Sequence, residues 1–524
     1  MTTLLPRGAY SKEELEKLYP KGLELQLVQV VCSVNLGERT PVSARFQNVR
    51  FTTDWPYCNL AKRFVAIAAA GTSLTEWDEF HWRRKIEKFG NNDQALLSVG
   101  PAGEPDGICQ LGELTDKGRQ TTLALGRRLR YLYVEQLGYM PKIISNADHM
   151  YLRATPVPRA LESLQQTFWG MYPASARTSD FENPTIVQRT PAEETLYPNE
   201  GNCHRFRQLA RLFAQRAAER WNESEQMDYL NSIWSKWMPQ SSPRVAVDSR
   251  PRLSGILDTI NSTMAHGPET RLPSEFYDTK GYGIADQIAT DEWFAGYKES
   301  KEYRKLGIGA LMGDIVDRMV AASVSGGWWP TTDTKREHGP PVKFAISGCH
   351  DTTIAAILTS LGAFDNGKWP PYTSNIAIEL FKDVDGHHHK AHVGDILEEL
   401  SNPLPENNSK NNDSKPSSLL SFFRRSATTS STALTEPSDV ARTPVSKLPP
   451  LHKHYVRIRY NDQPVAIPGC AAKPANHLPG EPTFCTLEAF KQIVDKFTPG
   501  NWREECGWNT DKGMFAEGED RAGY

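Results

Sequence analysis

Leu25-Gln26-Leu27-Val28-Gln29-Val30-Val31-Cys32 is apolar and β-branched, interrupted only by glutamines, and reads as a strand buried on both faces. The loop Gly37-Glu38-Arg39-Thr40-Pro41 follows it. Thr115-Asp116 then caps a helix with Leu125, Leu129 and Leu132 on one face. Lys142-Ile143-Ile144-Ser145 reads as a second strand, and a further helix runs from about Arg159 to Gly170. Strand character returns at Val342-Lys343-Phe344-Ala345-Ile346-Ser347. A helix follows with Ile354, Ile357, Leu358 and Leu361 on one face and Gly362 as its stop. Asn375 to Phe381 and Tyr455 to Tyr460 complete the strand set. Strands alternating with helices predict an α/β fold: a central, mostly parallel sheet flanked by helices.

The pattern is interrupted once by helices and once by a polar tract. Residues 174–339, with His204 to Trp221 and Tyr303 to Ala322 as examples, predict a mostly helical cap inserted into the α/β domain. That domain is then discontinuous, formed by residues 21–173 and 340–500, with an N-terminal extension of residues 1–20 and a tail of residues 501–524. Residues 401–447 are rich in Ser, Asn, Thr and Pro, cannot bury enough apolar area to offset ordering entropy, and predict a disordered insertion. Leu419 to Arg425 inside it could serve docking or phosphorylation; a tolerated loop insert is the simpler reading.

A chain of 524 residues, 39% hydrophobic and 10% aromatic, has the composition of a globular protein with a large core. Its 60 basic and 63 acidic side chains leave a net charge of −3, which gives no electrostatic case for nucleic acid or an anionic membrane. No apolar run is long enough to span a bilayer. The N-terminus is broken by Pro6 and followed by Ser11-Lys12-Glu13-Glu14, unlike a secretory signal or a transit peptide. The expectation is an intracellular, by default cytoplasmic, protein that is not secreted. Eight cysteines in so long a chain do not suggest a disulfide scaffold. Cys32 and Cys349 are expected as buried thiols, while Cys470, Cys485 and Cys506 allow one bridge in an oxidising compartment. Sequons at Asn222, Asn261, Asn407 and Asn412 carry no weight without a secretory signal.

Three loops carry the candidate chemistry. Ser347-Gly348-Cys349-His350-Asp351-Thr352-Thr353 lies where a buried strand gives way to a helix, a place with unpaired N–H groups and a positive dipole end. There His350 can donate to a phosphate oxygen and Asp351 can pass a proton to a leaving alkoxide. Taken alone, His-Asp at a helix start is more simply a cap. Arg153-Ala154-Thr155-Pro156-Val157-Pro158-Arg159 marks a second strand-to-helix passage. Surface solvation is the simpler reading of Arg153, whereas Arg159 opens an apolar helix face and is a candidate anion ligand. In the loop of Gly37 to Pro41, Arg39 could fork two hydrogen bonds to a phosphate, although by itself the loop would be an ordinary exposed turn. Three strand-end loops with one cation each suit the carboxyl edge of an α/β sheet.

Together these motifs resemble the histidine acid phosphatases, branch 2 of the histidine phosphatase superfamily, whose first motif is Arg-His-Gly-x-Arg-x-Pro and whose late motif is His-Asp. Leu27 to Val31, Leu196-Tyr197-Pro198-Asn199, Phe364 to Pro371 and Ile467-Pro468-Gly469-Cys470 resemble the branch of mitochondrial lysophosphatidic acid phosphatases. The likeness runs from about Leu25 to Thr498, outside the polar insertion. It implies a histidine phosphatase fold and a phosphomonoesterase with no metal or other cofactor. Arg39, Arg159 and His350 would then bind phosphate, and Asp351 would be the proton donor. It further implies a phosphorylated small molecule as substrate, a lysophospholipid being one candidate, and allows mitochondrial residence.

The chain departs from that pattern at the nucleophile. Counted back from Gly37, the arginine and histidine slots hold Asn35 and Leu36, and no histidine precedes His81. Counted forward from Cys32, the chain is two residues longer than the motif. A leucine cannot attack phosphorus, so the chain as written reads either as a pseudophosphatase that binds a phosphorylated ligand or acts as a scaffold, or as a sequence defect local to this point, such as a misdrawn splice boundary.

Other signals are weaker. His387-His388-His389 and His392 follow Gly386 and read as a solvated hairpin tip rather than a metal site. Gly281-Tyr282-Gly283 is too short for a dinucleotide fingerprint. Trp234, Trp237, Trp328 and Trp329 are expected in the core of the helical unit, with one or two free to line an apolar pocket.

Overall fold

The computed structural model describes residues 3–4, 7–33, 37–46, 55–60, 86–90, 92–98, 107–328, 340–364, 367–384, 451, 453–513 and 521–524. Asn35, Leu36, Trp329, His387 to His389, His392 and the whole 401–447 stretch, Leu419 to Arg425 included, lie outside the described residues.

The strands are β1 (Leu23–Ser33), β2 (Ile86–Phe89), β3 (Ala95–Ser98), β4 (Met150–Ala154), β5 (Ile186–Val187), β6 (Phe344–Cys349), β7 (Asn375–Asp383), β8 (His454–Tyr460), β9 (Gln463–Val465), β10 (His477–Leu478) and β11 (Glu481–Thr486). The longer helices are α1 (Lys12–Leu18), α2 (Asp116–Arg130), α3 (Pro158–Met171), α4 (His204–Trp221), α5 (Glu225–Trp234), α6 (Leu253–Ala265), α7 (Thr279–Glu299), α8 (Ala310–Ser325), α9 (Asp351–Ser360) and α10 (Leu487–Asp495). Among the described residues, strands β2 and β3 pair only with each other. The other nine form one sheet in the order β10-β11-β8-β7-β1-β6-β4-β5, with β9 added on β8.

The expected α/β architecture is present, but the sheet is mixed rather than mostly parallel. Strands β1, β6, β4 and β5 pair in parallel, whereas β7 runs antiparallel to β1 and β8 antiparallel to β7 and β11. The reason lies in the connection after α9. It carries the chain back to the carboxyl edge of the sheet before β7 starts, so that Asn375 pairs with Cys32 at the far end of β1. A tight Asn461-Asp462 turn, with φ of 48° and 69°, then reverses β8 into β9. The expected strand at Lys142 to Ser145 does not form, since Ile144 makes only an isolated bridge to Arg177. Strand β4 takes the edge of β6 instead, with Met150 opposite Phe344.

Both faces of β1 are covered, as its composition predicts. Leu27 and Val31 pack with α8, α9 and α10, while Val28, Val30 and Cys32 pack with α2 and α3. Gln29 is buried but satisfied: its Nε2 donates to Ile315 O at 2.9 Å and its Oε1 accepts from Arg318 Nη1 at 3.1 Å. Helices α2 and α3 meet through glycines. A Cβ on Gly126 would lie 2.0 Å from Thr167 O, and one on Gly170 would lie 2.2 Å from Leu123 O. On β7 and β8 a buried ionic group is sealed in. Glu379 accepts from Arg457 Nη2 at 2.7 Å, from Arg459 Nε at 3.2 Å, and from the hydroxyls of Tyr19 and Tyr133 at 2.6 and 2.8 Å.

Helices α5, α6 and α7 share a separate core that includes Trp234, Ile256, Leu257 and Ile288, with Phe46 inserted from the segment after β1. Trp237 packs against this core, and Trp328 stands edge-on to Tyr151 at 5.1 Å. Cys32 and Cys349 are buried free thiols as expected. Of the other cysteines, Cys470–Cys485 forms the one bridge that the C-terminal three allow, and Cys58–Cys109 and Cys203–Cys506 are two further disulfides that the reading of the sequence did not expect. Two of these pairs are 51 and 303 residues apart, so proximity in the chain does not reveal them. Among the described residues, no helix is long and apolar enough to cross a membrane.

Candidate active site

The parallel strands β1, β6 and β4 end side by side, and the three loops singled out above leave from those ends. The first is held by close contact. A Cβ on Gly37 would lie 2.3 Å from Leu114 Cδ1 and 2.5 Å from Gly118 O, so only glycine lets the loop lie on the first turn of α2. Glu38 is fully buried. Its carboxylate accepts from Thr3 Oγ1 at 2.7 Å and Thr121 Oγ1 at 2.8 Å, and its carbonyl from Thr115 Oγ1 at 2.8 Å. The loop is therefore a buried, pinned element rather than an exposed turn.

This pinning directs Arg39 into a cavity of about 440 Å³. Its Nη2 donates to Asp258 Oδ1 of α6 at 2.7 Å, and Arg45 Nη1 donates to Asp258 Oδ2 at 2.9 Å. Burial would raise the Asp258 carboxyl, but the two guanidiniums outweigh it and hold the pKa below the usual value.

Arg159 sits in the first turn of α3, after Pro158 at N1. It lines a groove beside the cavity, with Nη1 3.4 Å from Gly112 O. Burial, and next the charge of Arg39, lower its pKa to about 10, with Asp351 acting in the opposite sense. The two like charges thus act on each other, Arg159 from the groove and Arg39 from the cavity. Arg153 is buried rather than solvated and donates to Glu194 Oε1 at 2.6 Å beneath the site.

His350 directly follows β6 and is the N-cap of α9, with its ring edge-on to Tyr197 at 5.6 Å. Burial first, then Arg159 and Arg39, push its pKa down to about 3, so the imidazole is neutral over the physiological range. Asp351 follows at the first position of α9. Its Oδ1 accepts from Thr352 N and its Oδ2 from Trp369 Nε1, both at 2.8 Å. Arg39, His350 and Asp351 all line the cavity, and Arg159 acts on it from the adjoining groove.

Several cavity residues escape sequence reasoning. Asp258 and Arg45 stand in no motif. Trp293 and Trp369 line the cavity, whereas Trp234, Trp237 and Trp328 do not. Trp369 had one signal, its place in the Phe364 to Pro371 stretch.

The family model of the histidine phosphatase superfamily (branch 2) matches residues 37–393. A probable acid phosphatase of Schizosaccharomyces pombe is 36% identical over 488 residues, which cover 93% of this chain and 95% of that protein. Human lysophosphatidic acid phosphatase type 6 is 27% identical over 278 residues, 52% of this chain and 58% of its own length. The solved structure of Hafnia alvei phytase in complex with myo-inositol hexakis sulphate shares the fold, with a TM-score of 0.52 at 13% identity over 93% of this chain and 99% of that one. Fold and relatives define a hydrolase class, the acid phosphatases. Within that class the chain belongs to the histidine phosphatase superfamily, branch 2.

Proposed function

We propose that the cavity binds the phosphate of a phosphomonoester through Arg39, Arg159 and His350, and that Asp351 protonates the departing alcohol. One observation carries this reading: the Asp351 carboxyl, the His350 ring and the guanidinium of Arg39 all line one cavity. Preorganised cations would neutralise the equatorial oxygens, and a carboxyl at the first turn of α9 would deliver the proton. The lysophosphatidic acid phosphatase relatives support a lysophospholipid as one candidate substrate. Residues 174–339 read as a cap, supported by Asp258 of α6 and Tyr282 and Trp293 of α7 in the cavity wall.

The sequence itself favours a second reading for the chain as written. With Asn35 and Leu36 in the arginine and histidine slots, phosphohistidine chemistry has no nucleophile, and the cavity would bind without turnover. A protein with Asn35→Arg and Leu36→His should hydrolyse p-nitrophenyl phosphate and lose that activity with Asp351→Ala added. Full activity in the Asp351→Ala background would overturn the assignment. The unaltered chain should bind phosphate and not turn it over, and a transcript that reads Arg-His-Gly between the codons for Val30 and Thr40 would remove the pseudophosphatase reading. For location, three disulfides support an oxidising compartment over the cytoplasm expected by default.

A further inference from the structure

We propose that Trp369 is a positioning residue for Asp351: its indole N–H fixes the orientation of the carboxyl group, and helix α7 fixes the indole. This rests on the reading of Asp351 as the proton donor.

A carboxyl held by one hydrogen bond can still rotate about its Cβ–Cγ bond, a torsion with a broad, roughly two-fold profile. Asp351 is held at both oxygens. Thr352 N–H, part of α9 itself, donates to Oδ1 at 2.8 Å, and Trp369 Nε1–H donates to Oδ2 at 2.8 Å from a different segment of the chain. The indole nitrogen donates only and cannot exchange roles with its partner. A bulky ring is also a stiff source for such a bond, since it has two side-chain torsions.

The ring is itself anchored on one side, by α7. Trp369 N–H donates to Asp286 Oδ1 at 3.1 Å. The indole lies 5.2 Å from the Phe294 ring and edge-on to Trp293 at 5.9 Å. Asp286, Trp293 and Phe294 fall at i, i+7 and i+8, a single face of the helix. Pro370 and Pro371 follow directly and restrict the backbone on the other side of the tryptophan. The geometry therefore runs from α7 through Trp369 to the carboxyl, and no bond is made or broken at the indole.

The competing explanation is that Trp369 only packs between helix and sheet. Trp369→Phe separates the two, because phenylalanine keeps an aromatic ring and removes the N–H. In the full-length protein labelled with 15N at its indoles, Trp369→Phe identifies the Trp369 signal. Asp351→Ala should then shift that signal and speed its exchange with solvent by about tenfold or more; an unmoved signal overturns the proposal. In the Asn35→Arg, Leu36→His protein, Trp369→Phe should lower kcat by about tenfold with KM held within about twofold. The loss should be larger for phenyl phosphate than for p-nitrophenyl phosphate, because the poorer leaving group depends more on proton delivery. Equal losses for the two esters, or a loss confined to KM, would show packing alone and overturn the proposal. If the parent of that comparison hydrolyses neither ester, the phosphatase reading fails, and the indole signal decides the positioning contact by itself.

Discussion

Replacing Asp258 with asparagine should make the cavity a stronger anion site and the free protein a less stable one. The Asp258 carboxylate, 15% exposed, lies 2.7 Å from Arg39 Nη2 and 2.9 Å from Arg45 Nη1. A phosphate that reaches Arg39 must compete with it. At an effective dielectric constant of about 20, a dianion roughly 6 Å from a carboxylate is repelled by about 5 kcal/mol before relaxation and screening. A conservative share of that, about 1.4 kcal/mol, corresponds to a tenfold lower Kd for phosphate. The opposite effect falls on the unliganded fold. Breaking a buried ion pair costs about 3–5 kcal/mol, and an asparagine that keeps one acceptor oxygen should lose less, about 2 kcal/mol. Calorimetric titration with inorganic phosphate at neutral pH measures the first quantity, and denaturation with and without saturating phosphate measures the second. Saturating phosphate should stabilise the variant by about 1.4 kcal/mol more than the parent, since tenfold tighter binding adds that amount by mass action. Unchanged or weaker phosphate affinity in Asp258→Asn would refute the reasoning that Arg39 serves the anion.

Three other substitutions test the surroundings. Burial raises the Asp286 carboxyl from its ordinary 3.8 to about 6; its folded pKa lies above the unfolded one, so the stability tied to its protonation is full below pH 3.8 and is lost as pH rises through 6. Asp286→Asn, which keeps an acceptor for Trp369 N–H, should therefore gain up to about 3 kcal/mol at pH 7.5 and nothing at pH 3.5, and an equal gain at both would contradict this. Glu379→Gln leaves Arg457 buried without its counter-charge and Arg459 with only Asp462, 3.6 Å away, so urea unfolding should show a loss of about 3–5 kcal/mol, and a neutral result would contradict that role. Gly126→Ala would help an isolated helix by about 1 kcal/mol, but contact with Thr167 O should reverse the sign to a net loss of about 1–3 kcal/mol in a thermal melt.

Some of this was legible in residue order and some was not, for identifiable reasons. Strand β1 was readable because burial on both faces demands a continuous apolar run, and the helices at Asp116–Arg130 and His204–Trp221 because one-sided burial demands a 3.6-residue period. The antiparallel half of the sheet was not readable, since strand direction depends on where a connection returns, which composition does not record. Arg39, His350 and Asp351 were findable at strand ends, and the cavity does bring them together. Asp258 was not, because an acid inside a helix looks the same in sequence whether it faces solvent or two arginines. The Cys203–Cys506 pair was hidden by distance along the chain, and the polar glutamine in β1 gave no sign of its partners on α8.

The Cys203–Cys506 bridge gives the molecule a covalent continuity that the backbone alone does not. It joins a residue before β7 to one after β11, so it spans any break made between Val384 and Leu451. A chain nicked there would stay one molecule, with β8 to β11 and α10 tethered to the rest. The pairing of β8 with β7 would then be an intramolecular event at high effective concentration, not a bimolecular encounter. Reduction of one bridge would turn the same nicked protein into two fragments held by noncovalent contact alone, the ion pairs of Glu379 with Arg457 and Arg459 among them.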